Sequence, residues 1–83
     1  MTVSAKELSY NEGAIRLAAI HGKEVEFRYV KANNKPPETR RFVPSAVVGT
    51  GEHLRFVGYD TDRQAPRSFR LDRIRGDVRV IVA

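Results

Sequence analysis

Two arginine-bearing stretches hold the residues best suited to chemistry. They are Arg40-Arg41-Phe42-Val43-Pro44 and Arg67-Ser68-Phe69-Arg70-Leu71-Asp72-Arg73-Ile74, with Val57-Gly58-Tyr59-Asp60 between them. In both stretches the guanidinium groups interleave with apolar and aromatic residues at strand spacing. An arginine fork matches the planar oxygens of phosphate or carboxylate through paired hydrogen bonds. A row of such forks on a rigid sheet fixes an anion in place, which is recognition chemistry. Catalytic constellations are not evident. Ser45 and Ser68 have no recognisable base beside them, and the two histidines, His21 and His53, have no carboxylate at metal-ligand spacing. Gly49-Thr50-Gly51 is a lone G-x-G with no following helix, so it reads as a hairpin turn. Asp60 and Asp62 read as turn residues, short of the oxygen ligands a cation requires. No enzyme, cofactor or metal site is expected.

Composition points the same way. Eleven of the fifteen cations are arginine, and the formal net charge is +5. From Arg63 to Ala83 six arginines face two acids, so that segment alone carries +4. Nucleic acid, a nucleotide or an acidic partner would suit such a surface. There is no cysteine, which excludes a disulfide framework and a thiol nucleophile. No apolar run reaches the roughly 20 residues of a membrane span, and the N-terminus lacks a secretory signal's apolar stretch, so a cytoplasmic protein is expected.

The arginines need a frame. At 83 residues nearly every apolar side chain must join one core. Residues 1–10 read as a flexible lead and 11–83 as one domain. Asn11 is placed to cap a helix from about Glu12 to His21, with Ile15, Ala18 and Ala19 as its apolar stripe, widened by Leu17 and Ile20. Gly22 stops it. The period then changes to two. Val25, Phe27 and Tyr29 alternate with Glu24, Glu26 and Arg28. Asn33-Asn34-Lys35-Pro36-Pro37 is a turn, Thr39–Val43 the return strand ended by Pro44, and Ala46–Val48 a third short run. His53–Tyr59 is a strand, Asp60–Pro66 a polar turn, Arg67–Leu71 a strand, Asp72–Gly76 a tight turn and Asp77–Val82 the last strand. Phe27, Phe42, Phe56 and Phe69 are expected in the core. The pattern predicts a mostly β fold: five to six short strands in a small barrel or sandwich, with one N-terminal helix.

With the strands placed, the chain resembles the WYL domain family over roughly Ile15 to Val80. The residues that carry the likeness are Ala19-Ile20, Val25-Glu26-Phe27-Arg28-Tyr29, Arg40 with Pro44 and Val47, Leu54-Arg55-Phe56-Val57-Gly58-Tyr59-Asp60, and Arg67 to Ile74 throughout. Arg55 stands where the family's naming tripeptide has an aromatic, so a cation replaces a stacking ring. No counterpart is expected for the helix-turn-helix that usually precedes such domains, since one predicted helix is too little for it, nor for the C-terminal extension that usually follows. A standalone WYL-like domain is therefore expected. The resemblance implies an Sm-like or SH3-like barrel. It also implies a ligand-sensing or accessory module of a bacterial regulatory or defence-linked system, one that binds single-stranded nucleic acid or a nucleotide. It assigns Arg40, Arg67 and Arg73 to the binding face, with Arg70, Arg55 and Tyr59 around them. Beside that reading, Arg73 can equally pair with neighbouring Asp72 to fix a turn, and Tyr59 can be rim packing. The alternative function is a protein-interaction or oligomerisation module that pairs through barrel edges.

Overall fold

The computed structural model describes residues 5–31, 35–50 and 53–81. The turn expected at Asn33-Asn34, Gly51 and the strand end at Val82 lie outside these. Helix α1 runs Ala5–His21, followed by β1 Val25–Tyr29, β2 Glu38–Val48, β3 Arg55–Asp60, β4 Ala65–Arg70, a 3-10 turn Leu71–Arg73, and β5 Ile74–Val80. Among the described residues the strands form one antiparallel sheet in the order β4-β3-β2-β1-β5. The 3-10 turn carries the chain from one sheet edge to the other, giving the expected small Sm/SH3-like barrel.

The helix starts earlier than its sequence suggests, so the expected lead at residues 1–10 is helical from Ala5 onward. Asn11 is therefore no cap. It is fully buried in mid-helix, and its carboxamide donates to the Gly76 carbonyl at 3.0 Å and accepts from the Val78 amide at 2.9 Å. Helix termination follows expectation. Gly22 adopts φ +62, with Gly22 N–H donating to Ala19 O at 3.4 Å and Lys23 N–H to Ala18 O at 2.8 Å. That is a Schellman cap, which needs the left-handed residue glycine supplies. Ile15 and Ala18 enter the core, but Leu17 and Ile20 do not widen the stripe: they are 58% and 76% exposed.

Phe27, Phe42, Phe56 and Phe69 all sit in the core, with exposures from 0 to 7%. Phe27 meets Phe56 and Phe69 edge-on at 5.3 Å, and Phe42 meets Phe69 at 5.2 Å. Edge-to-face contacts of this kind add about 0.5–1.5 kcal/mol each beyond the burial of area. Tyr29 joins them, and its hydroxyl accepts the Arg70 amide at 3.1 Å, tying β1 to β4 across the barrel although the two are not sheet neighbours.

Pro44 does not end its strand. The chain passes through it and on to Val48, merging two expected strands into one, so the described residues form five strands, within the expected five to six. A bulge between Pro44 and Ala46 makes this possible, since a bulge spares the ladder bond proline cannot make. Two further boundaries move. β4 begins at Ala65, through Pro66 on a sheet edge, and β5 begins at Ile74, directly after the 3-10 turn.

Candidate nucleic-acid interface

The six candidate residues fall into three groups. Arg40 and Arg73 lie at one mouth of the barrel, and Arg70 adjoins them. Arg55 and Tyr59 lie on the outer surface of β3. Arg67 stands apart on β4.

Arg40 shares the inward face of β2 with Phe42 and Pro44, where residues alternate buried and exposed. It pairs in register with Phe27. Its residue exposure is only 7%. One amino group, Nη2, reaches Glu38 Oε2 at 3.4 Å, and Glu38 is itself half exposed. The buried Nε has no hydrogen-bond partner among the described residues. Asp60, opposite Phe42 on the same inward face, is fully buried. Its Oδ1 accepts the Arg63 amide at 3.0 Å and opens the 61–64 turn, while Oδ2 has no partner among the described residues. No ion pair joins Arg40 to Asp60 among the described residues. The barrel thus buries a cation and a carboxylate, each with idle hydrogen-bonding capacity, which is costly unless something uses it.

Around the mouth, Glu38 pairs in register with Tyr29 and lies 3.9 Å from Lys31 Nζ. Arg73 caps the other side. Its Nη1 donates to the Lys31 carbonyl, and its own carbonyl accepts the Val30 amide at 3.0 Å. The turn-fixing pair with Asp72 exists, but Arg70 makes it. Arg70 Nε and Nη2 reach Asp72 Oδ1 and Oδ2 at 3.0 and 2.6 Å, a bidentate contact. Tyr29, Lys31 and Glu38 therefore belong to this mouth. Tyr29 belongs to a stretch that carries the family likeness, but no motif marks Lys31 or Glu38; the β1–β2 register and the Lys31–Glu38 contact place them beside Arg40.

On the outer face Arg55 stands directly opposite Arg70, and Tyr59 opposite Pro66. Tyr59 is 45% exposed. Four residues separate Arg55 from Tyr59, about 13 Å along a strand. Asp72 pairs with Arg70, and Arg55 has no ion-pair partner among the described residues. Arg67 is exposed on edge strand β4 opposite Gly58, alternating with Ser68 and so directed to the other face from Arg55. It makes no hydrogen bond or ion pair among the described residues. The family resemblance implies one face for Arg40 and Arg67; strand parity does put both inward, but Arg40 is buried at the mouth while Arg67 is solvated on the edge.

A further arginine set escaped the sequence reading. Arg41 Nε contacts Glu26 Oε2 at 3.2 Å, and Arg79 holds the other oxygen of Glu26 from β5. The Arg79 hydrogen bond, with Arg41 beside it, holds the Glu26 carboxyl below its ordinary value of 4.5. Among the described residues no group of His, Cys, Asp or Glu is arranged to hold a metal ion, and no helix is long and apolar enough to cross a membrane.

Fold and mouth together define a small SH3-like barrel module with a basic opening. Its sequence is more specific still: residues 12–80 match the WYL domain family, and the chain belongs to that family. It is 36% identical over 66 residues to Protein PafB of Mycobacterium leprae (strain TN), covering 78% of this chain and 20% of that protein. Its fold matches proteasome accessory factor B/C (PafBC) of Arthrobacter aurescens with a TM-score of 0.80 at 22% identity, over 96% of this chain and 12% of that one. The chain spans a fifth or less of the length of either relative.

Proposed function

We propose that this WYL domain is a ligand-sensing or accessory module of a regulatory system, and that it binds single-stranded nucleic acid or a nucleotide at the barrel mouth. One observation carries the reading: among the described residues Arg40 is buried as a cation with its Nε unpartnered and only a 3.4 Å contact to a half-exposed carboxylate. A phosphate oxygen at the mouth would complete its hydrogen bonds and neutralise its charge. Arg73 and Lys31 flank the opening, and Arg70 holds the adjoining turn in shape. Arg55 and Tyr59 on the neighbouring outer face extend the surface, Tyr59 offering a ring for a base to stack on. Arg67 adds a free cation along edge strand β4.

Fluorescence anisotropy with short labelled single strands of DNA and RNA, at several salt concentrations, tests this. Salt-sensitive binding is expected, weakened strongly by Arg40→Met and more modestly by Arg55→Ala/Tyr59→Ala. Binding that Arg40→Met leaves intact would remove the mouth from the site, and no binding of strands or nucleotides at low salt would sink the reading.

A second reading is a protein-interaction module. Tyr10, Leu17 and Ile20 recur at helical spacing along α1 and are 56, 58 and 76% exposed. An apolar stripe of this kind suits a partner chain. Sedimentation velocity of the wild type against Leu17→Glu/Ile20→Glu separates self-association from the monomeric nucleic-acid reader.

A further inference from the structure

We propose that the outer face of β1, β2 and β5 carries a second anion site, distinct from the barrel mouth, that takes a phosphoryl group between Arg28 and Arg75. This inference does not depend on the mouth being a nucleic-acid site.

Register places two rows of side chains on this face. One runs Thr39–Arg28–Arg75, the other Arg41–Glu26–Arg79. Between them the β1–β5 ladder is irregular. Arg79 pairs with Glu26 and Arg75 with Arg28, so residues 76–78 all stand opposite Phe27. Gly76 takes φ +77 there, a conformation that favours glycine. From the inner side Asn11 holds both Gly76 O and Val78 N–H. Where the strands part, a depression of about 350 Å³ opens, lined by Glu26, Arg28, Thr39, Arg75, Asp77 and Arg79. That volume falls at the small end of ligand sites.

The charges in it are set against the fold's own interest. Arg28 and Arg75 are directly opposite each other, and like charges at that position destabilise a sheet. Glu26 is already engaged, with one oxygen held by Arg41 and the other by Arg79, which leaves Asp77 as the other carboxylate of the lining beside three arginines. Arg28 has no ion-pair partner among the described residues. Arg75 is anchored in place, its Nη1 donating to the Asp72 and Ile74 carbonyls at 3.0 and 3.3 Å. A phosphoryl group between the two guanidiniums would accept from both and cancel the repulsion. Thr39, opposite Arg28, and Asp77 in the same lining supply a hydroxyl and a carboxylate, which suit the hydroxyls of a sugar bearing that phosphate. The phosphate can come from a free nucleotide or from the end of a strand; the chemistry at the two arginines is the same.

The test is thermal unfolding of the whole chain with inorganic pyrophosphate, with ADP, and with a short single strand carrying a 5′-phosphate or a 5′-hydroxyl, each against chloride at equal ionic strength. The variants are Arg28→Thr, Arg28→Thr/Arg75→Gln and Arg40→Met. Arg28→Thr should unfold at or above the wild-type temperature without ligand, since a repulsion is removed, while affinity falls about tenfold or more. Stabilisation by pyrophosphate or ADP that disappears in the Arg28 variants supports a free phosphate ligand. Stabilisation confined to the 5′-phosphorylated strand, and lost in the same variants, supports a strand end. The amide resonances of Gly76 and Asp77 should shift on titration in either case. A stabilisation lost in Arg40→Met but kept in Arg28→Thr/Arg75→Gln belongs to the mouth and overturns this site alone. No stabilisation beyond chloride, with Gly76 and Asp77 unshifted, also overturns it.

Discussion

The side-chain oxygen of Asn11, in the middle of α1, accepts the backbone amide of Val78 at 2.9 Å inside the core. Its amino group completes the clamp on the Gly76 carbonyl at 3.0 Å. The bulge in β5 has backbone groups that no strand neighbour takes, and a helix residue takes them instead. Asn11→Ala should cost about 2–3 kcal/mol, because a buried donor left without an acceptor carries its full desolvation penalty. Urea unfolding measures the loss, and native-state exchange at the Val78 amide should quicken in parallel. A change within about 0.5 kcal/mol, the size of an ordinary surface substitution, would mean the clamp is ornamental.

This clamp also shows where sequence reading reaches its limit. Asn11 before an apolar-periodic run looks like a cap, and local pattern alone cannot tell a cap from a buried side chain paired 67 residues away. The phenylalanines were legible because period-two alternation in a strand reports burial directly. Leu17 and Ile20 were misplaced because a helix of one buried stripe has apolar neighbours on either side, and packing against β2 and β5 chooses among them. Arginine-rich strands were equally visible, but which arginines share a surface is a matter of register. Arg40 and Arg67 looked alike in sequence; pairing with Phe27 buries one, and pairing with Gly58 at a sheet edge leaves the other solvated. Arg28 and Arg75, 47 positions apart, become neighbours only once β5 is laid beside β1.

Gly58 should tolerate no side chain. A Cβ there would lie 2.1 Å from the Val43 carbonyl oxygen and 2.8 Å from Pro44 Cα, both backbone atoms that cannot step aside. The bulged stretch of β2 presses on β3 at this point. Gly58→Ala is expected to lose about 3 kcal/mol, the upper end of overpacking costs. Chemical denaturation of Gly58→Ala beside Gly13→Ala gives a clean contrast, since a Cβ at Gly13 meets nothing within 4 Å and alanine favours helix. Equal stabilities for the two variants would contradict the close approach.

Acid should weaken the β2–β1–β5 surface through Glu26. Its carboxyl pKa is depressed in the fold, first by the Arg79 hydrogen bond and then by Arg41. A depressed carboxyl pKa means the native state favours the ionised form more than the unfolded chain does. The stabilisation is therefore present above the unfolded value near 4.5 and is lost as pH falls through the lower folded value. Thermal midpoints of the wild type and Glu26→Gln should differ at neutral pH, with the variant lower, and should converge in acid below that window. A gap that stays constant with pH would assign the difference to packing and not to charge.

Arg40→Met distinguishes a residue kept for the fold from one kept for a ligand. A buried cation held by one 3.4 Å contact contributes little net stability, and an apolar side chain of similar length fills the same space without desolvating a charge. Stability of Arg40→Met is therefore expected to match or exceed the wild type, within about 1 kcal/mol on the low side. Binding of a single strand should behave oppositely. If Arg40 contacts one phosphate, affinity falls and the slope of log K against log salt becomes shallower by about 0.7, the value for one neutralised phosphate on a single strand. Unfolding and anisotropy on the same preparation read both quantities. A variant that is destabilised by several kcal/mol and keeps the wild-type salt slope would make Arg40 a structural residue, and the mouth would lose its central contact.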